Sequence, residues 1–577
     1  MTGEAMAAEL AEIGAQQLAR TRSRLPSDTL QRHALFTECV RAVDYWAVFQ
    51  RLLPQEHRMA HPDFQLIQWG WNAAVGHLLE PLSQGGFPLM ESTKETQSFA
   101  LNLLHQFGRG VLVHRTCEMI RHGFVAAEKS DRGYVVRTVA GDAAQQQHLD
   151  VLEFTRLKRL EKSVWGDREG WTRKWMRRDI EDLMAPLITP WDTGRGVMVN
   201  YGALPEVDDH FNAIALQLAR EWSEEAGIHQ ETRFGELTGA DLIGIGTIVI
   251  GFHAKHVGFT MLAARKHPHI SLPQSLTIWG EREKMAQAIA EVTEEDPAVV
   301  RKTIDMLSLR ASDMPRLREH TTPFRPLLID LGNGLVVRPV SCLDANAFNA
   351  VRTLVEWRIP EAKGAISAPR EDWARTDLYG LFQGNRYECV EGAIKIRESG
   401  RVSTDIDGAV LDRVSGDLAL FQFKWQDMST NDVRSLRSKA SNFAREMDEW
   451  TTKVNDWVGR VGIEAVMKTL RLQPRNHRGR VHLFGVSRIG ARLQAYGAAP
   501  KEQSLALANW PQFVRVRYEA GPVDDVFENM HRVLRDEMNA QAKTRPIAVT
   551  LSIGGANITF EDIFTAIDTK SLGVEDE

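Results

Sequence analysis

The stretch STDIDGAVLDRVSGDLALFQFKWQ, residues Ser403–Gln426, decides how the C-terminal part of this chain folds. Its apolar positions Ile406, Val410, Phe421 and Phe423 interleave with polar ones, and Val414-Ser415-Gly416-Asp417 has the composition of a tight turn. The pattern predicts two antiparallel strands joined by that turn. Side chains two apart on a strand share a face. Asp405 and Asp407 are therefore expected to point together on the first strand, and Gln422 and Lys424 together on the second. A hairpin of this kind can bring both pairs to a single hard cation. Carboxylate and main-chain oxygens then hold the ion, and a lysine positions water or neutralises developing charge in phosphodiester hydrolysis. D-x-D or Q-x-K alone occurs on many solvated hairpins. What sharpens the signal is the conjunction of the acids, a 14-residue gap between Asp407 and Gln422, and a lysine set among Phe421, Phe423 and Trp425. A lysine in an apolar run is costly unless it is paired or used.

Ile406-Asp407-Gly408 followed by Gln422-Phe423-Lys424 resembles the PD-(D/E)xK nuclease superfamily, in particular its Mrr-like restriction branch, closely over about 40 residues and loosely over the last 230. The resemblance implies a Mg²⁺- or Mn²⁺-dependent endonuclease in which Asp407 binds the metal, Gln422 and Lys424 form the QxK element, and Phe423 lends its main-chain carbonyl. It also implies in-line attack by water, leaving a 5′-phosphate. Gln422 stands where an acid is more usual, so the site carries one negative charge fewer and should hold its metal less tightly. Families of this kind draw a further acid from the first helix of the core. Glu371, at the start of a predicted 370–382 helix, suits that place better than Glu388, which leaves little room for an intervening strand and turn. An acid in a first turn also suits the helix dipole without any catalytic role.

Around this motif the chain reads as multidomain. Apolar residues recur at three and four from residue 1 to about 320, which predicts a mostly α-helical N-terminal region. Thr189-Pro190-Trp191 and the 194–205 stretch interrupt it, and Asp296-Pro297 is a helix start. Domains are expected at 1–190 (helical), 191–322 (a second helical domain), 323–345 (a β linker or extension of the nuclease sheet, from Arg325–Val340) and 346–577 (an α/β, restriction-endonuclease-like domain with a mixed sheet flanked by helices). Within the last, a helix over 346–357, a strand over 390–397, a long helix from a Ser429-Thr430 cap to about Trp457, strands at 481–486 and 513–516, and a covering helix over 527–538 are predicted.

The long helix and the segment after it carry Arg434, Arg437, Lys439 and Arg445, then nine more basic residues through Arg480, Arg488 and Arg492, against five acids. This local excess of positive charge, on a chain of net charge −6, suits a phosphate backbone. Upstream, 156–178 interleaves nine basic residues with Trp165, Trp171 and Trp175. Such a segment either stacks on exposed bases or forms a helical corner with core tryptophans.

Other motifs lead elsewhere. Cys39, Cys117, Cys342 and Cys389 make no CxxC pair, so neither a zinc site nor a disulfide framework is expected and the cytoplasm is the natural compartment. The apolar run Leu242–Phe252 is short for a membrane span and reads as a core element; its glycines lack the Gly-Lys-Ser/Thr of a phosphate loop. His253, His256, His267 and His269 lack metal-helix spacing. The expectation is a cytoplasmic DNA endonuclease of bacterial restriction or anti-phage defence, with RNA, a homo-oligomer or a defence partner protein left open. The competing reading is an inactive nuclease-fold subunit that binds nucleic acid or acts as a scaffold.

Overall fold

The structure, a computed structural model, describes the chain apart from residues 1–2, 50–58, 83–90, 140–148, 161–175, 426–431, 473–478, 539–543, 568–577 and a few isolated positions. The tryptophans of the 156–178 cluster and the Ser429-Thr430 pair fall outside the described residues. The chain forms two compact units whose segments interleave: Met1–Cys117, Glu169–Ser367 and Val549–Ile558 make unit 1, and Glu118–Arg168, Ala368–Ala548 and Thr559–Glu577 make unit 2.

Unit 1 is mainly helical. The 189–205 interruption is a β-hairpin, Ile188–Asp192 against Val197–Tyr201, which leads into helix α1 (Pro205–Ala226). Helix α2 (Gly239–Lys266) starts at a capping box, where Thr238 Oγ1 accepts from the Asp241 N–H and Asp241 Oδ2 accepts from the Thr238 N–H. Gly251 of the apolar run and Gly258 beyond it let α2 approach its neighbours. A Cβ at Gly251 would lie 2.7 Å from Asn212 Oδ1, and one at Gly258 2.7 Å from the Phe211 ring. By length and composition α2 could cross a membrane, but 72% of its most apolar window is buried. His253 and His256 are buried with it, hydrogen-bonded to the Val249 and Ser275 carbonyls.

The 323–345 stretch is neither a linker nor an extension of the five-stranded sheet of unit 2. Leu335–Arg338 pairs with Leu328–Asp330 and with Ile278–Glu281, and Ser308–Leu309 runs parallel to Leu328–Asp330. The partners of these strands come from 278–309, so burying Leu328, Ile329, Val336 and Val337 ties them to unit 1. Helix Ala347–Arg358, capped by Asn346, adds Phe348, Val351 and Val355 to the same interior. The boundary expected before Asn346 therefore falls at Ser367, while Glu118–Arg168 leaves the expected 1–190 domain for unit 2 and Val549–Ile558 leaves the expected 346–577 domain for unit 1.

Unit 2 is built on a mixed five-stranded sheet. Its strands are β1 (Tyr387–Cys389), β4 (Gly408–Asp412), β5 (Leu418–Lys424), β6 (Val481–Ser487) and β7 (Leu505–Asn509), in the order β1-β4-β5-β6-β7. The first three are antiparallel neighbours and the last three parallel ones. A separate hairpin joins β2 (Ile394–Glu398) to β3 (Arg401–Ile406). Gly392, at φ 69°, turns the chain between β1 and β2, so of the strand expected across 390–397 only the part from Ile394 forms, and it pairs with β3 outside the five-stranded sheet.

The run Leu418-Ala419-Leu420-Phe421 is apolar without a break because both faces of β5 are covered. Leu418 and Leu420 meet Phe443, Met447 and Trp450 of helix α4 (Val433–Val461). Ala419, Phe421 and Phe423 meet helices α3 (Arg370–Gly380), α5 (Trp510–Ala520) and α6 (Val526–Met538) through Leu378, Phe513 and Phe527. Helix α4 is capped by Asp432, whose carboxylate accepts from the Arg434 and Ser435 N–H groups. The expected strand at 513–516 is instead inside α5. Asn509 caps that helix by accepting from the Gln512 N–H and Pro511 opens it, outweighing the β-like alternation of Phe513-Val514-Arg515-Val516.

Candidate active site

Strand β3 ends at Ile406 and β4 begins at Gly408, so Asp407 sits in the break between two sheets. Its backbone is held from both sides. The Asp407 N–H donates to the Phe421 carbonyl (3.0 Å), and its carbonyl accepts from Arg375 Nε on α3 (2.5 Å). Tyr379, one turn further along α3, accepts from the Ala409 N–H (3.2 Å) and donates to the Val390 carbonyl (2.6 Å). Helix α3 thus does at the break what a neighbouring strand would do in a continuous sheet. Gly408 keeps the helix close: a Cβ there would lie 3.3 Å from Leu378 Cδ2 and 3.4 Å from the Phe423 ring.

The break corrects the expectation that Asp405 and Asp407 share a strand face. Asp405 is on β3 opposite Lys395, and its carbonyl accepts from Trp450 Nε1 (2.7 Å). The Asp407 carboxylate turns toward β5, where Oδ2 accepts from the Phe423 N–H (2.7 Å) and from Gln422 Nε2. Asp407 Oδ1 is buried and has no hydrogen-bond partner among the described residues. Burial pushes the Asp407 carboxyl up to about 7. The nearby charges of Asp405 and Glu371 push the same way, while the Phe423 N–H and Lys424 oppose them.

Each expected site residue can now be placed. Gln422 and Phe423 touch Asp407 directly, Gln422 through its amide nitrogen and Phe423 through its N–H. Glu371 is exposed in the first turn of α3, near enough for its charge to reach Asp407. Its competitor Glu388 is held instead by Arg413, whose Nη2 lies 3.0 Å from Glu388 Oε2. Lys424 ends β5 on the face that α4 covers, and its Nζ lies 3.0 Å from Glu446 Oε2.

Three contributors escaped the sequence reading: Arg375, Tyr379 and Glu446. Only Glu446 left a trace there, as an acid three residues after Phe443 on the edge of an otherwise apolar helix face.

Rings fasten α3 to the ends of β5 and β6. The Trp373 and Trp425 centroids are 5.4 Å apart, and the Arg488 guanidinium lies over Trp373, Trp425 and Trp510 at 5.0–5.6 Å. Arg488 also pairs with Asp377 (2.6 Å) and donates its N–H to the Lys424 carbonyl (2.9 Å). It is therefore a buried clamp and does not reach a phosphate. Arg492 likewise is buried against Asp150 at 2.9 Å. Both leave the basic tract, and Arg475 and Arg478 lie outside the described residues. On α4, Arg434, Arg437 and Arg445 are exposed and Lys439 is half-buried. Arg437 reaches the His122 carbonyl (3.2 Å), and Arg445 pairs with Glu449 (3.1 Å).

Against known proteins, the chain matches no family model, no curated protein and no solved structure. The site itself offers hard oxygen donors. Among the described residues no three His, Cys, Asp or Glu side chains converge to hold a metal by themselves. The orphaned Asp407 Oδ1, with the charge of Glu371 reaching it, fits the sparser pattern of Mg²⁺, which takes one or two carboxylates and completes its shell with water and substrate oxygens.

Proposed function

We propose that unit 2 is a metal-dependent nuclease domain of the PD-(D/E)xK restriction-endonuclease class, Mrr-like in its QxK variant, hydrolysing DNA phosphodiester bonds. The observation that carries this reading is the Asp407 carboxylate, with one oxygen tied to β5 by Gln422 and Phe423 and the other buried and unpartnered among the described residues, beside the strand that ends in Lys424. Burying a carboxylate without satisfying it is unfavourable, and a bound cation supplies the missing partner.

Asp407 and Glu371 would hold the ion, which when bound supplies Lewis-acid polarisation of the phosphate and lowers the pKa of water. The protein's own share is positioning. Arg375 and Tyr379 hold the Asp407 backbone, Gln422 orients its carboxylate, and Lys424 presents an ammonium at the edge of the site, where a phosphate oxygen gains charge. Exposed Arg434 and Arg437 on α4 would meet the backbone of the bound strand. Bacterial restriction or anti-phage defence is the setting in which such a nuclease fits.

A second reading rests on the Lys424–Glu446 pair. If that pair persists with nucleic acid bound, the lysine is not free to act, and the domain is a nuclease-fold scaffold without activity. Incubating supercoiled plasmid with the full chain, with and without Mg²⁺ or Mn²⁺ and beside Asp407→Ala, separates the two. The nuclease reading expects metal-dependent nicking or linearisation that the variant lacks. No cleavage under any metal condition, with DNA binding intact, would establish the scaffold.

A further inference from the structure

Unit 1 contains a cleft of about 510 Å³ whose lining residues play no part in the nuclease reading. Four helices bring their ends to it. Arg22 closes helix Gly3–Arg22, Arg32 lies in the first turn of Thr29–Phe49, His77 in the last turn of His61–Leu78, and Arg318 on Met314–Glu319. Three guanidiniums face one carboxylate, Glu80, which pairs with Arg32. Arg32 also donates Nε to the Pro26 carbonyl (2.6 Å), and Arg318 donates Nη1 to the Gly76 carbonyl (2.9 Å). Arg22 is exposed, and its guanidinium has no hydrogen bond or ion pair among the described residues. Burial pushes the His77 imidazole down to about 4, and the charges of Arg318, Arg22 and Arg32 all push the same way, so the ring is neutral and the cationic field converges beside it.

A glycine makes room for this arrangement. Gly76 lies inside a helix, where glycine is less favourable than alanine. A Cβ there would stand 2.5 Å from Arg318 Cγ, so the absent side chain is what lets Arg318 lie across the helix into the cleft. The remaining wall is apolar, with Leu25, Leu79 and Met314 among it. The volume falls within the range of small-molecule sites. Guanidinium groups in this number match phosphate oxygens in geometry as well as charge.

We propose that this cleft binds a nucleotide, its phosphates held by Arg22 and Arg318 and its base laid on the Leu25, Leu79 and Met314 wall. The site stands independently of the nuclease reading and is tested by binding alone, in metal-free buffer where cleavage plays no part.

Isothermal titration of the full chain with ADP, UDP, inorganic phosphate and adenosine decides it. ADP or UDP should bind saturably, inorganic phosphate at least tenfold more weakly, and adenosine not measurably. Arg22→Ala and Arg318→Ala should each weaken the nucleotide tenfold or more. Gly76→Ala, which displaces Arg318 without changing any charge, should weaken it too while the melting temperature holds. Glu80→Gln, which frees Arg32, should tighten it severalfold. The proposal is overturned if neither nucleotide binds below about 1 mM, if both arginine variants bind like wild type, or if inorganic phosphate binds as tightly as the nucleotide.

Discussion

Lys424 Nζ and Glu446 Oε2 stand 3.0 Å apart, joining the end of β5 to the middle of α4. The pairing follows from strand parity: Leu418, Leu420, Gln422 and Lys424 all face α4, and the first two pack on it while the last two meet polar groups. The pair is partly exposed, with 27% and 42% of the two side chains accessible, so its contribution to stability is under about 1 kcal/mol. On the nuclease reading the pair opens when a phosphate arrives, and until then Glu446 would hold the lysine in place at the edge of the site. Glu446→Ala should lower kcat about tenfold with KM and melting temperature little changed, and Glu446→Asp should recover part of the loss. Equal losses in both variants, or a fall in melting temperature matching the fall in rate, would point to packing instead.

On the nuclease reading, Asp407→Ala and Lys424→Ala should each reduce metal-dependent cleavage by about three orders of magnitude or more while circular dichroism and DNA affinity stay near wild type, because Asp407 would hold the metal and Lys424 would meet the phosphate. Full activity in either variant would remove it from the site.

The Asp407 carboxyl, raised to about 7 from an ordinary value near 4, has a definite pH signature. Its folded-state pKa lies above the unfolded one, so its contribution to stability is fully present below about pH 4 and has been lost once pH rises past about 7. Asp407→Asn keeps the single oxygen that accepts from both Gln422 and Phe423. It should therefore match wild type at pH 4 and be more stable by a few kcal/mol at pH 8, the order that a shift of this size implies. Mg²⁺ should narrow that gap by stabilising wild type alone. Urea denaturation at the two pH values, with and without metal, checks both statements.

Gln422→Glu would set a second carboxylate against Asp407 Oδ2 in place of a donor. Without metal the variant should be less stable than wild type at pH 8. With Mn²⁺ or Mg²⁺ it should bind the ion more tightly, since these hard cations favour carboxylate oxygen. A metal titration identical to wild type would place Gln422 outside the metal's surroundings.

Arg434→Glu with Arg437→Glu should weaken DNA binding regardless of sequence and reduce the slope of log affinity against log salt by about two, one for each phosphate no longer neutralised. Arg492→Ala is the contrasting case. Asp150 would lose its charged partner and keep only the Ala491 and Arg492 N–H groups and Asn509 Nδ2, which should destabilise unit 2 by about 3 kcal/mol. An unchanged salt slope in the α4 double variant would take that helix off the binding surface.

Local chemistry made much of unit 2 legible. Gly416, at φ 82°, makes the turn its composition predicts, and the unbroken apolar run of β5 marks a strand covered on both faces. The proximity of Asp407, Gln422 and Lys424 follows from that hairpin, with Gly408 opposite Phe421. What alternation does not encode is the partner that each half of a strand takes. The break at Asp407 exists because Arg375 and Tyr379, about 30 residues earlier in the chain, satisfy its backbone from a helix. The assignment of 328–338 to unit 1 was hidden for the same reason, since the pairing strands come from another part of the chain. Charge counting failed where burial intervened. Arg488 and Arg492 look in sequence like the other basic residues, yet a ring cage and a buried aspartate claim them. Composition, turn chemistry and periodicity thus determined most elements of unit 2, but not the helical state of 513–516. Tertiary packing alone decided which buried oxygen of Asp407 stays unsatisfied, because that depends on every donor the fold brings within reach of it.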